Sequence, residues 1–70
     1  MNGDRTFVSN MLRLTGSRGW TLKQLATEAG MSYTTVTNYS HSNTTPSLTS
    51  LRRIRSALGC TWEDLLEEWP

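Results

Sequence analysis

Tyr33, Thr34, Thr37 and Asn38 recur at the spacing that puts side chains on one side of an α-helix, with Val36 and Tyr39 on the other. Their functional groups are a phenol, two hydroxyls with methyls, and a carboxamide. Such groups suit the edges of base pairs. A carboxamide can pair bidentately with adenine, and a threonine can offer a hydroxyl or touch the thymine methyl. A helix with this front and an apolar back can lie in the major groove of DNA. It can equally be a solvated helix surface, and these four residues alone do not separate the two readings.

The elements that would carry this row read as five helices and no strand. Phe7, Val8, Met11, Leu12 and Leu14 follow a helical period, with Asp4 as N-cap and Gly16 and Gly19 as stop signals. The run from Thr21 to Gln24 reads as a capping box for a second helix along Leu22, Leu25, Ala26 and Ala29. Gly30 supplies the left-handed residue that ends it. Ser32 caps a third helix through about Tyr39. The β-branched run 34–37 favours a strand by propensity, but the flanking cap and Gly30 agree with a helix. The segment 40–45 is loop-like, because small polar residues compete with the helical backbone. Pro46 marks the start of a fourth helix with a buried stripe of Leu48, Leu51, Ile54, Ala57 and Leu58, ended by Gly59. Thr61 caps a last helix with Trp62, Leu65, Leu66 and Trp69 on one face.

Seventy residues make one domain, 1–70, with a modest core. The single cysteine, Cys60, precludes an intramolecular disulfide and suits a reducing compartment. One Cys and one His (His41) do not make a structural zinc site. With no membrane-length apolar run and no signal-peptide pattern, the chain is expected to be soluble, cytoplasmic and complete as given. The net charge of +1 hides an asymmetry. Residues 1–60 hold all seven Lys and Arg against Asp4 and Glu28, a balance of +5. Residues 61–70 hold Glu63, Asp64, Glu67 and Glu68, a balance of −4. A basic body with an acidic tail suits a polyanion on one side, and an ordinary solvated surface gives the same numbers.

Leu25-Ala26, Gly30-Met31-Ser32 and Val36 have helix-turn-helix spacing, with Ala26 small at a close crossing and Gly30 in the tight turn. They are followed by Pro46-Ser-Leu, Leu51 with Ile54, Ala57-Leu58, and Cys60-Thr61 with Leu65. Over residues 7–66 this string resembles the Cro/C1-type (XRE-type) helix-turn-helix family of phage and bacterial regulators. The resemblance implies an all-α, lambda-repressor-like bundle of five helices that acts as a DNA-binding dimer. It implies backbone and groove-edge contacts at Thr21 and Leu22, where the family commonly has Gln in place of Leu22. It places Ser32, Tyr33 and Thr34 in the groove, with Thr37 and Asn38 one turn later. It gives phosphate contacts to the loop from His41 to Thr45, where Asn43, Ser42, Thr44 and His41 replace the usual Lys or Arg. An Arg–Glu pair common in the family is replaced by Thr15 and Ser40. Both charges are lost together, which leaves neither stranded, and a neutral hydroxyl contact or a water is expected there.

Other residues keep two readings. Lys23 is a phosphate contact or a surface lysine. Arg13 and Arg18 border the DNA face or are solvated. Arg52, Arg53 and Arg55 form a basic patch or sit on a helix turned away from DNA, with the Arg55 stem along the core edge and its head in water or paired with the acidic tail. Cys60 is expected as a small core residue and Trp20 as a cover over the junction of helices 1 and 2. Trp62, Leu65, Leu66 and Trp69 close the core or form a two-fold dimer contact, and the dimer is the expectation carried forward.

The leading expectation is therefore a sequence-specific transcriptional regulator of double-stranded DNA, a repressor, working as a homodimer without cofactor, metal or small-molecule substrate. The alternative is a protein-interaction module, such as an antitoxin or adaptor with weak DNA binding, which the sparse positive charge around helix 3 favours. An enzyme is not expected, since no nucleophile–base pair or phosphate-cradling loop is present.

Overall fold

The computed structural model describes residues 6–41 and 46–67. They form an all-α bundle of α1 (Thr6–Ser17), α2 (Leu22–Ala29), α3 (Tyr33–His41), α4 (Leu48–Leu58) and α5 (Trp62–Leu66). The centre is built democratically. Met11, Leu25, Val36, Ile54 and Leu65 are its largest fully buried side chains, one from each helix. α2 packs on α3 and α4, while α1 packs on α5 and, less extensively, on α2. None of the described helices is long and apolar enough to cross a membrane.

Short helices form here because their ends are closed. Thr21, Ser47 and Thr61 hold extended backbone, and each accepts a hydrogen bond from the amide three residues on. Gly30 and Gly59 adopt left-handed φ of 69° and 63°. Around each, the two backbone bonds of a Schellman turn are present: Gly30 to Thr27 with Met31 to Ala26, and Gly59 to Ser56 with Cys60 to Arg55. Glycine is required at both because a Cβ there disfavours positive φ.

Several boundaries and faces differ from expectation. α3 runs on to His41, past Tyr39. Gly16 lies within α1, and the chain turns at Gly19 instead. Asp4 falls outside the described residues. Only half of the capping box at Thr21 forms, since the Gln24 amide side chain donates to Glu28 at 2.8 Å. The reciprocal box forms at α5, between Thr61 and Asp64. Leu12 and Leu48, placed in buried stripes by their spacing, are 42% and 58% exposed. Leu48 opens α4, beyond the reach of the core. Leu12 is displaced because α1 presents Asn10 and Thr15 inward.

Those two polar residues are buried for different reasons. Asn10 donates to the carbonyls of Leu65 (2.9 Å) and Glu67 (2.8 Å), closing the C-terminal end of α5, and accepts from Arg13 at 2.7 Å. Thr15 turns its hydroxyl to the Met11 carbonyl at 2.6 Å. Ser40 does likewise to Thr37 at 2.8 Å. At the positions where a hydroxyl contact or a water was expected, each of these two bonds lies within its own helix. A small hydroxyl side chain can satisfy itself on the preceding turn.

Arg55 is half-buried at the core edge. Among the described residues its partners are the Cys60 carbonyl and the Trp62 ring, with no carboxylate. Cys60 is a buried core residue, as expected. Burial, with the nearby Asp64 carboxylate, pushes its thiol above the ordinary range.

Asn10→Ala removes both donors from the end of α5. The expected loss is about 1–3 kcal/mol, read as a lower urea midpoint at unchanged m-value. A midpoint equal to that of the parent chain shows that water satisfies those carbonyls equally well.

Candidate nucleic-acid interface

The interface is assembled by two helix starts and one tight turn. Thr21 closes the N-terminus of α2, accepting from the Gln24 amide at 3.2 Å. Lys23 in the same turn is exposed. Leu22 is half-buried and packs against the core, so it presents little of its side chain outward. α2 ends at Gly30, and the half-buried Met31 packs on the core and leads directly into α3.

Ser32 caps α3. Its hydroxyl accepts from the Thr35 amide at 3.1 Å and lies 2.7 Å from the Thr35 hydroxyl. Val36 is fully buried and Tyr39 nearly so, with Tyr39 meeting the Phe7 ring edge-on at 6.0 Å between centroids. These contacts fix the rotation of α3 about its axis. Tyr33, Thr34, Asn38 and His41 consequently face outward, Tyr33 at 52% exposure. Thr37 sits at the edge of this face, half-buried, and its hydroxyl donates to the Thr34 carbonyl at 3.0 Å. Its proton is therefore committed, and what remains for a ligand is its methyl and its lone pairs.

The structure thus brings Ser32, Tyr33, Thr34, Thr37, Asn38 and His41 onto the outer side of one helix and sets Thr21 and Lys23 at the start of another. Asn43 lies outside the described residues, as does Trp69. Of the residues expected at a dimer contact, Leu65 is fully buried within the protomer and belongs to the core. With no surface left it cannot meet a second chain. Trp62 and Leu66 are 36% and 43% exposed.

Electrostatically the face is sparse. From residue 24 to residue 51 the chain contains no Lys or Arg. The helix starts supply partial positive charge through their unpaired amides instead. One cation of the basic patch weighed on α4 lies near this surface through a contact that the sequence did not reveal. Arg53 of α4 donates to the Gly30 carbonyl at 3.2 Å, beside the turn between α2 and α3. Nothing in its spacing separates it from Arg52, because the contact joins positions far apart in sequence.

A family model described as a Cro/C1-type HTH DNA-binding domain matches residues 10–68. Comparison with curated proteins and with solved structures gives no match.

Capping and outward-facing residues separate experimentally. Ser32→Ala is expected to lower stability by roughly 0.5–2 kcal/mol through loss of the cap. Tyr33→Ala and Thr34→Ala should stay within about 0.5 kcal/mol of the parent chain. Thermal unfolding of the three variants checks this. A large loss for Tyr33→Ala shows that its ring supports the fold.

Proposed function

The chain belongs to the Cro/C1-type helix-turn-helix DNA-binding family, and on that premise we propose that it is a sequence-specific regulator of double-stranded DNA, a repressor acting as a homodimer. The observation that carries this reading is the outward row on α3, uncharged and rich in hydrogen-bonding groups, held in place by buried Val36 and Tyr39.

In this reading α3 enters the major groove. Tyr33 and Thr34 meet bases from its first turn, and Asn38 pairs with adenine one turn later. Thr37 offers its methyl to thymine. The start of α2, with Thr21 and Lys23, and the end of α3, with His41, hold the sugar–phosphate strands on either side. Asn43 adds a phosphate contact from the loop. Repression follows when the occupied site overlaps the one used by polymerase.

Two copies give a two-fold assembly with reading helices about 34 Å apart on a roughly palindromic site. Trp62 and Leu66 lie four residues apart on α5, hence on one face, and both are exposed. That apolar pair supports α5 as the contact between copies, with Trp69 extending it. The protein works inside the cell, where its DNA is.

A second reading has one observation in its favour. The absence of Lys and Arg between residues 24 and 51 weakens non-specific attraction to phosphate and suits a protein partner on the same face.

Selection from random duplex DNA at two salt concentrations distinguishes the readings. A single palindromic motif that persists at the higher salt supports the dimeric regulator. Binding that salt abolishes for all sequences alike supports the protein-interaction module. With the motif in hand, Asn38→Ala should lose roughly 1–3 kcal/mol of discrimination at one base pair of each half-site. An equal loss on every sequence removes Asn38 from base reading.

A further inference from the structure

Two arginine–tryptophan pairs grip the turn between α4 and α5. Arg18, in the connection between α1 and α2, donates from Nε to the Leu58 carbonyl at 2.9 Å and from Nη2 to the same oxygen. Its guanidinium lies over the Trp20 ring, 5.1 Å from the centroid. Arg55, from α4, donates to the Cys60 carbonyl at 3.3 Å and lies over the Trp62 ring at 4.9 Å. Between the two carbonyls stands Gly59, with φ of 63°. A Cβ at Gly59 would stand 2.8 Å from Arg18 Nη2. Glycine therefore gives this turn its left-handed backbone and also leaves room for the guanidinium.

The placement of Arg18 joins two parts of the molecule with different tasks. It precedes Thr21, which closes the start of α2, by three residues. Leu58 ends α4, and α5 begins at Trp62. A planar fork with two donors on one oxygen, backed by a stacked ring, resists rotation in a way that a single ammonium contact does not. The connection leading into α2 is thereby tied to the end of α4, where the turn into α5 begins.

We infer that Arg18 is a positioning residue that fixes the angle between the reading unit and α5, and so the separation of the two reading helices in the dimer. The inference rests on the dimeric regulator reading above. A dimer reads its half-sites at the spacing its own geometry imposes. With Arg18 removed, the joint between α2 and α5 loosens, and neighbouring spacings become acceptable without any change at the bases.

The test uses the full chain with Arg18 intact, Arg18→Met and Arg18→Lys. Each is titrated with duplexes carrying the selected half-site twice, in a series whose spacing increases one base pair at a time. The intact chain is expected to prefer one spacing. Arg18→Met is expected to flatten that preference by about tenfold, the equivalent of roughly 1.4 kcal/mol, with half-site sequence and salt slope unchanged. Arg18→Lys keeps charge and stem but loses the fork, so it is expected to flatten the preference too, and it carries the comparison if Arg18→Met does not fold. Circular dichroism and sedimentation establish that each variant is helical and dimeric. A spacing preference as sharp as that of the intact chain in the folded variants overturns the inference. So does a salt slope reduced by about one at unchanged spacing preference, which identifies Arg18 as a phosphate ligand. An intact chain with no spacing preference overturns the dimeric reading itself, and the inference falls with it.

Discussion

Everything in this fold depends on closing helix ends. An α-helix leaves up to four amides and four carbonyls unpaired at its termini, and the helices here are only five to twelve residues long. In α5 nearly every backbone group is a terminal one. The chain meets this constraint with hydroxyls at the starts, at Thr21, Ser32, Ser47 and Thr61. At the finishes it uses long-range side chains: Arg53 beside Gly30, Arg18 on Leu58, and Asn10 on Leu65 and Glu67. Only with its ends satisfied can each helix deliver one large side chain to a common centre.

The same devices build the candidate interface. Thr21 and Ser32 are caps and also mark the starts of the two helices of the motif. The turn at Gly30 brings those helices together, and Val36 and Tyr39 set the rotation of α3. The outer row is therefore polar by default: the inner positions of α3 are already used by the core. Family membership agrees with this geometry and rests on a match to most of the chain.

Much of the fold was legible because its signals are local. Gly30, Gly59, Thr21, Ser32 and Thr61 each act within a few residues of themselves, and the apolar period identified Met11, Leu25, Val36 and Ile54, while Leu65 was expected at a contact between copies and lies in the core. The failures have a common cause. Asn10, Arg18, Arg53 and Arg55 act on carbonyls of other turns or other helices, and composition cannot distinguish a solvated arginine from one that closes a helix. Leu12 and Leu48 fit the period, but one lies beside inward-turned polar residues and the other at a helix tip. At the interface the sequence identified the outward row on α3. It did not show that Leu22 faces the core or that the Thr37 proton is taken by its own helix.

α3 carries Thr34, Thr35, Val36 and Thr37 in succession. Branching at Cβ leaves few χ1 wells in a helix, and the bonds at Thr35 and Thr37 select among them. Long flexible side chains lose up to about 1.5–2 kcal/mol of rotamer freedom each when they are immobilised. These short, branched ones have far less to lose on contact. Along this run α3 thus behaves as a cut die rather than a set of fingers, with Thr34 and the edge residue Thr37 as its share of the outer face.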